Sequence, residues 1–119
     1  MKEALGIQIL VELFDCNREK LNDIDFIREI LEEAARSTGS TIMTSEFRYF
    51  EPQGISGLVM IAESHLSIHT WPEYGYAAAD IFTCGNRVFP WKAVPVLEKG
   101  LEAETSATQE LKRGILERE

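Results

Sequence analysis

The sequence predicts an α+β fold, a two-layer sandwich in which a mostly antiparallel sheet carries two helices packed on one face. Three observations point there. The segments arrive in the order strand-helix-strand-strand, then strand-strand-helix-strand, so the chain reads as two roughly similar halves. Residues 22–38 place apolar side chains at three- and four-residue steps, the period of a helix. The remaining segments are short, rich in β-branched and aromatic residues, and broken by turn residues rather than long connections.

Each element has its own signal. Residues 5–14, LGIQILVELF, are apolar enough to predict a strand buried on both faces. In the first helix Ile24, Ile27, Leu31, Ala34 and Ala35 form the apolar stripe, Asn22 or Asp23 can cap the start, and Gly39 is placed to end it. Residues 40–50 return as a strand, and Pro52-Gln53-Gly54 marks a turn. Further strands are expected at about 56–62, 65–70 and 76–83, with Ser64 in the tight turn between the first two. A second helix begins near Pro90, a favoured first-turn residue, and Pro95 should distort it. Residues 104–113 read as a closing strand followed by a frayed end.

At 119 residues the chain is expected to be one domain, 1–119, with enough length for a core. Net charge is −8, from 20 acidic and 12 basic residues, and the basic residues are scattered. That balance excludes a nucleic-acid partner, whose phosphates need clustered Lys and Arg. It suits a cationic small molecule as well as simple solubility. No apolar run approaches the roughly 20 residues of a membrane-spanning helix, so no membrane partner is expected. Met1-Lys2-Glu3-Ala4-Leu5-Gly6 leads straight into a strand without a signal region, and Cys16 and Cys84 form no spacing motif. A reducing cytoplasm is the expected location.

Chemistry concentrates in AESHLSIHTWPE, residues 62–73. In an unbroken strand Ser64 and His69 would face opposite sides, which is why Ser64 is assigned to the turn. There its hydroxyl can press against the carbonyl carbon of Glu63, although turn serines commonly do nothing chemical. His65 and His69, with Glu63, Glu73 and Cys84, raise the alternative of zinc. Structural zinc sites usually show Cys/His pairs that this chain lacks, so no metal is expected.

The stretch GLVMIAESHLSIHTWPEYGYAAADIFTCG, residues 57–85, resembles the processing and catalytic region of the prokaryotic S-adenosylmethionine decarboxylases. The similarity extends through Phe47, Phe50, Pro52-Gln53-Gly54 and Ser56-Gly57 upstream and Pro90-Trp91-Lys92 downstream. The resemblance implies a proenzyme that cuts itself between Glu63 and Ser64 into 1–63 (β chain) and 64–119 (α chain). Ser64 would become a covalent pyruvoyl cofactor, which forms a Schiff base with the substrate amine and draws off electrons as CO2 leaves. By the same match His69 is the processing base, assisted by Ser56, and Cys84 is the proton donor to the substrate. An unperturbed thiol, with pKa of about 8.5, gives up a proton far more readily than a serine. Without the resemblance Cys84 would read as a small core residue. Glu73 matches the carboxylate that holds the ribose hydroxyls. Phe50 and Trp71 are candidates for stacking on adenine, or for ordinary packing. The family forms dimers with sites near the interface, so a homodimer of cleaved units is expected.

The chain departs from the family pattern at two positions. Many members carry histidine where this sequence has Gln8 and Arg48. Neither position carries the processing chemistry; both bear on the pocket. The first expectation is decarboxylation of S-adenosylmethionine to supply the aminopropyl donor for spermidine synthesis. The alternative is the same chemistry on L-arginine or L-ornithine, although Arg48 would repel those tails if it faced the pocket. A third reading, an unprocessed non-catalytic regulatory homologue, is opposed by the presence of Ser56, Ser64, His69 and Cys84.

Overall fold

A computed structural model of the chain describes residues 2–62, 64–85 and 87–117. Its elements are β1 (Lys2–Phe14), α1 (Arg18–Leu21), α2 (Ile24–Ser37), β2 (Ile42–Tyr49), β3 (Ile55–Ile61), β4 (Ser64–Trp71), β5 (Tyr76–Cys84), α3 (Ala93–Gly100) and β6 (Thr105–Glu117). The strands form one sheet in the order β2-β3-β4-β5-β1-β6, with every neighbouring pair antiparallel. The α+β sandwich expected from the sequence is the architecture found.

The two faces of the sheet differ because side chains alternate along each strand. Ile9, Val11, Leu13, Val59, Leu66, Ile68 and Ile81 point to one side and are buried there, against Ile27, Leu31, Ala34 and Ala35 of α2 and Leu97 of α3. Among the described residues no helix lies over the opposite face. Leu10, Phe14, Leu58, Met60 and Trp71 lie on it and are all exposed. β1 is therefore buried on one face, not two as its composition suggests. Its even-numbered apolar residues look out from the open face.

Local signals explain the connections. Asp23 caps α2, its carboxylate accepting from the amides of Asp25 and Phe26 at 3.1 Å. α1, which the sequence pattern did not announce, is a single turn capped by Asn17 on the amide of Lys20 at 3.0 Å. Pro90–Lys92 form a 3-10 turn, and α3 starts only at Ala93. Pro95 consequently falls in the first turn of α3, where a missing N–H costs little, and the expected distortion has no cause there. β6 continues past residue 113 to Glu117, pairing with Lys2–Phe14. The expected frayed end is thus strand through 117.

One close approach matters for the site. Gly57 lies opposite Phe47 across β2 and β3, and a methyl group on Gly57 would collide with the Phe47 ring. The ring covers the glycine and leaves β3 flat where Ser56 projects to the other face. We expect Gly57→Ala to cost about 1–3 kcal/mol through overpacking. Chemical denaturation should show a lower midpoint with an unchanged slope; an unchanged midpoint would contradict the packing described.

Candidate active site

β4 decides how the sequence-predicted residues are distributed. It runs without interruption from Ser64 to Trp71, and Ser64 pairs with Ile61 of β3. Ser64 is the first residue of a strand and not part of the turn, which corrects the sequence expectation. Ala62 belongs to the turn, and Glu63, the other residue at the proposed cleavage point, lies outside the described residues. Five residues along β4 separate Ser64 from His69, a distance of about 16 Å at the rise of a strand. The two also sit on opposite parities of the strand: Leu66, Ile68 and Thr70 are buried, whereas His69 is exposed on the open face.

The candidates therefore fall into two groups. At one end of the sheet are Ser64 and Cys84. His65 pairs with Phe82, so the start of β4 and the end of β5 lie side by side, with Cys84 opposite Gly6 of β1. A side chain at Gly6 would meet the Phe82 ring and the Thr83 carbonyl, so the glycine lets the Phe82 ring lie against β1 next to Cys84. A recess of about 330 Å³, lined by Leu5, Gly6, Ile7, Gly85, Lys112 and Ile115, adjoins it.

At the other end are Ser56, His69, Trp71, Glu73 and Phe50, which line one recess of about 260 Å³ with Gln53, Gly54 and Thr70. Ser56 and His69 are directly opposite across β3 and β4, and the Ser56 Oγ lies 2.7 Å from His69 Nδ1. The hydroxyl and imidazole can share one proton between them. Trp71 lies with its ring 6.4 Å from His69 and 5.3 Å from Tyr76. Glu73 is exposed on the 3-10 turn Pro72–Tyr74, which Gly75 ends in the left-handed region at φ 62°; its carbonyl accepts from the Cys16 amide at 2.8 Å.

The floor of this recess is fixed from below. Thr70 is buried; its hydroxyl accepts from the Ile55 amide at 2.9 Å and donates to the Leu21 carbonyl at 2.8 Å. The Gly54 amide donates to Asn22 Oδ1 at 3.0 Å, and the Phe50 amide to the Gly54 carbonyl at 2.8 Å. These bonds bring the 50–54 turn and Phe50 to the rim. Sequence reasoning did not single out Thr70, and it read Asn22 only as a possible helix cap. A threonine among buried strand residues is the signal that could have flagged the first.

The distances bear on the other candidates. His65 and His69 both project from the open face but are four residues apart on one strand, about 13 Å. Among the described residues no three His, Cys, Asp or Glu side chains are grouped to hold a metal. Arg48 lies opposite Ser56, its Nε 3.2 Å from Glu46, and both line a shallow hollow beside His69. Gln8 is elsewhere: its Nε2 donates to Asp80 Oδ2 at 2.8 Å, and its Oε1 accepts from Arg113.

A profile of the S-adenosylmethionine decarboxylase family matches residues 7–114. The chain belongs to the S-adenosylmethionine decarboxylase family. It is 48% identical over 115 residues to an S-adenosylmethionine decarboxylase proenzyme of Caldanaerobacter subterraneus, covering 97% of this chain and 93% of that one. It is 49% identical over 112 residues to the proenzyme of the same name from Thermotoga maritima, covering 94% and 86%. The fold is similar to the crystal structure of the adenosylmethionine decarboxylase from Aquifex aeolicus, with a TM-score of 0.89, 35% identity, and coverage of 98% of this chain and 97% of that one. The proteins it resembles are carboxy-lyases. Among the described residues no helix of this family member is long and apolar enough to cross a membrane.

The two cysteines of this decarboxylase relative differ in kind. Cys16 is buried, and burial, helped by the neighbouring Asp15 charge, pushes its thiol up to about 11. Cys84 is half-buried at the end of β5. Cys16 should therefore stay a thiol and resist iodoacetamide at pH 8 in the folded protein, because only the thiolate attacks. Peptide mass spectrometry after brief labelling checks this; a carbamidomethyl group on Cys16 without unfolding would contradict it.

Proposed function

We propose that the chain is a proenzyme that cuts itself between Glu63 and Ser64 and then decarboxylates S-adenosylmethionine, each site being assembled from two copies. The carrying observation is the β4 register. It keeps the processed serine and Cys84 at one end of the sheet and the Ser56–His69 pair, Glu73, Phe50 and Trp71 at the other. A second copy laid with its open face against the first, in the reverse direction, brings one end of each chain to the opposite end of its mate; Ser64, the first residue of β4, would meet the mate's His69 around the end of the strand and not through the sheet. A two-fold pair satisfies this at both sites at once. It also covers the exposed Leu10, Leu58, Met60 and Trp71.

In this reading Ser64 Oγ attacks the Glu63 carbonyl carbon, and the peptide C–N bond breaks as an ester forms. His69 of the second copy, held by Ser56, takes the hydroxyl proton and returns it to the departing Ser64 nitrogen, then takes the proton from the Ser64 Cα. Loss of that α-proton expels the Glu63 carboxylate and leaves a dehydroalanine, which picks up a proton at its CH2 carbon to become an imine. Water adds to the resulting imine, ammonia departs, and residue 64 is left as a pyruvoyl group at the head of 64–119. The residues present fit such a group: Ser64 begins β4 and Cys84 ends the neighbouring β5, at the same end of the sheet. The pyruvoyl ketone supplies an electron sink for the pair released when CO2 leaves the substrate.

The chain's own residues do the rest. Cys84 Sγ holds the proton to be delivered to the substrate α-carbon. Glu73 accepts hydrogen bonds from the ribose hydroxyls, and Phe50 and Trp71 present flat faces to the adenine. The overall charge of −8 attracts the cationic sulfonium. Location in the cytoplasm is in keeping with two free cysteines.

The test is CO2 release from purified protein offered S-adenosylmethionine, L-arginine and L-ornithine side by side. Release from S-adenosylmethionine alone is expected, and turnover of an amino acid in its place would overturn the substrate assignment. Ser64→Ala should remain one chain by intact mass and release no CO2. Activity in that variant would refute the pyruvoyl chemistry.

A further inference from the structure

Outside these two groups, the open face carries a second polar cluster that none of the chemistry above uses. Asp80 stands in β5 among Ala77, Ala79, Ile81 and Phe82, and its side chain is only 16% exposed. Three donors from two neighbouring strands converge on its carboxylate. Gln8 Nε2 of β1 donates to Oδ2 at 2.8 Å, His65 Nε2 of β4 lies 3.1 Å from the same oxygen, and the Ser67 hydroxyl of β4 donates to Oδ1. An ionised carboxylate only accepts, so the proton in the His65 contact sits on Nε2. The His65 ring also leans on Phe82 at 5.8 Å. Arg113 of β6 donates to the Oε1 of Gln8, so the chain of contacts crosses β4, β5, β1 and β6.

His65 directly follows the serine. We propose that Asp80 is a positioning residue for self-cleavage: by holding the His65 imidazole it fixes the first residues of β4, and with them the attack of Ser64 on the preceding carbonyl. The proposal rests on the self-cleavage reading above. Its physical basis is the geometry of intramolecular attack, where a displacement of about 1 Å can cost roughly a hundredfold in rate. At Ser64 the backbone pairs with Ile61 of β3. The His65–Asp80 contact tethers β4 one residue past the reacting serine. It matters again after cleavage, when residue 64 becomes a chain end. Chain ends fray unless tied down, and this tie is one residue from the new terminus.

The experiment follows the conversion of freshly purified full-length protein into two chains by intact mass, for the parent, His65→Leu, His65→Gln, Asp80→Asn and Ser67→Ala. His65→Leu should cut roughly a hundredfold more slowly than the parent, and Asp80→Asn, whose neutral amide still accepts from the imidazole but holds it more weakly, should fall between the two. His65→Gln, which keeps an amide donor on a side chain of similar reach, should recover most of the rate. Ser67→Ala removes a different donor from the same carboxylate, leaves His65 held, and should cut at close to the parental rate. A merely structural role would make rate follow thermal stability across the set; positioning makes it follow the donor at residue 65. His65→Leu cutting at the parental rate would overturn the proposal, as would His65→Gln being as slow as His65→Leu. A parent that stays a single chain removes the self-cleavage reading and this one together. A parent that cuts alongside an unimpaired His65→Leu removes this one alone.

Discussion

The rest of the structure depends on the continuity of β4. One strand carries the serine at its start and the histidine near its end, and neither can be moved toward the other without unzipping pairs on both sides. The ladder to β3 fixes Ser56 beside His69 and Ile61 beside Ser64; the ladder to β5 fixes Phe82 beside His65. A strand held on both flanks does not fold back on itself. The two groups of reactive residues are therefore separated by hydrogen-bonded backbone, not by a flexible loop that could close. Within one chain the two groups do not meet.

The open face gives that separation a purpose. On the covered side, alternate residues of the strands meet α2 and α3 and form the core. On the other side, the same strands present Leu10, Leu58 and Met60, the aromatic row of Phe14, Tyr76 and Trp71, and polar residues that bond to one another across strands. Tyr76 donates to Glu12, and Asp80 gathers Gln8, His65 and Ser67. A face meant only for water has little need of such apolar area or of so many satisfied polar contacts. Both are what a surface awaiting a second layer requires. In the dimeric reading, the sheet that separates the reactive groups also supplies the surface that reunites them across two copies.

Much of this was legible in the sequence. Helical spacing and capping signals located α2, and turn residues with β-branched segments located six strands. The run from Glu63 to Glu73 carried the family resemblance. What escaped did so for physical reasons. β1 is rich in apolar residues because one face meets the core and the other waits uncovered; composition cannot tell that from burial on both sides. The sequence reading places Ser64 in the turn because an unbroken strand puts it on the opposite face from His69; β4 is nevertheless unbroken, and the two do lie on opposite parities. Pro95 misled because the helix start lies three residues beyond Pro90. Asp80 went unremarked because its partners come from strands distant in sequence; Gln8 is 72 residues away. An acid between alanines and isoleucine in a strand was the available clue.

The division of the site between two copies is the claim that co-production of two disabled chains tests most directly. One chain carries Ser64→Ala and the other His69→Ala, with distinct tags so that intact mass tells them apart. Each alone should remain uncut. Produced together, the His69→Ala chain should be cut at its own Ser64, because its mate supplies the imidazole, while the Ser64→Ala chain stays whole. Cutting of the His69→Ala chain by itself, or its persistence as a single chain inside a purified mixed dimer, would contradict the account.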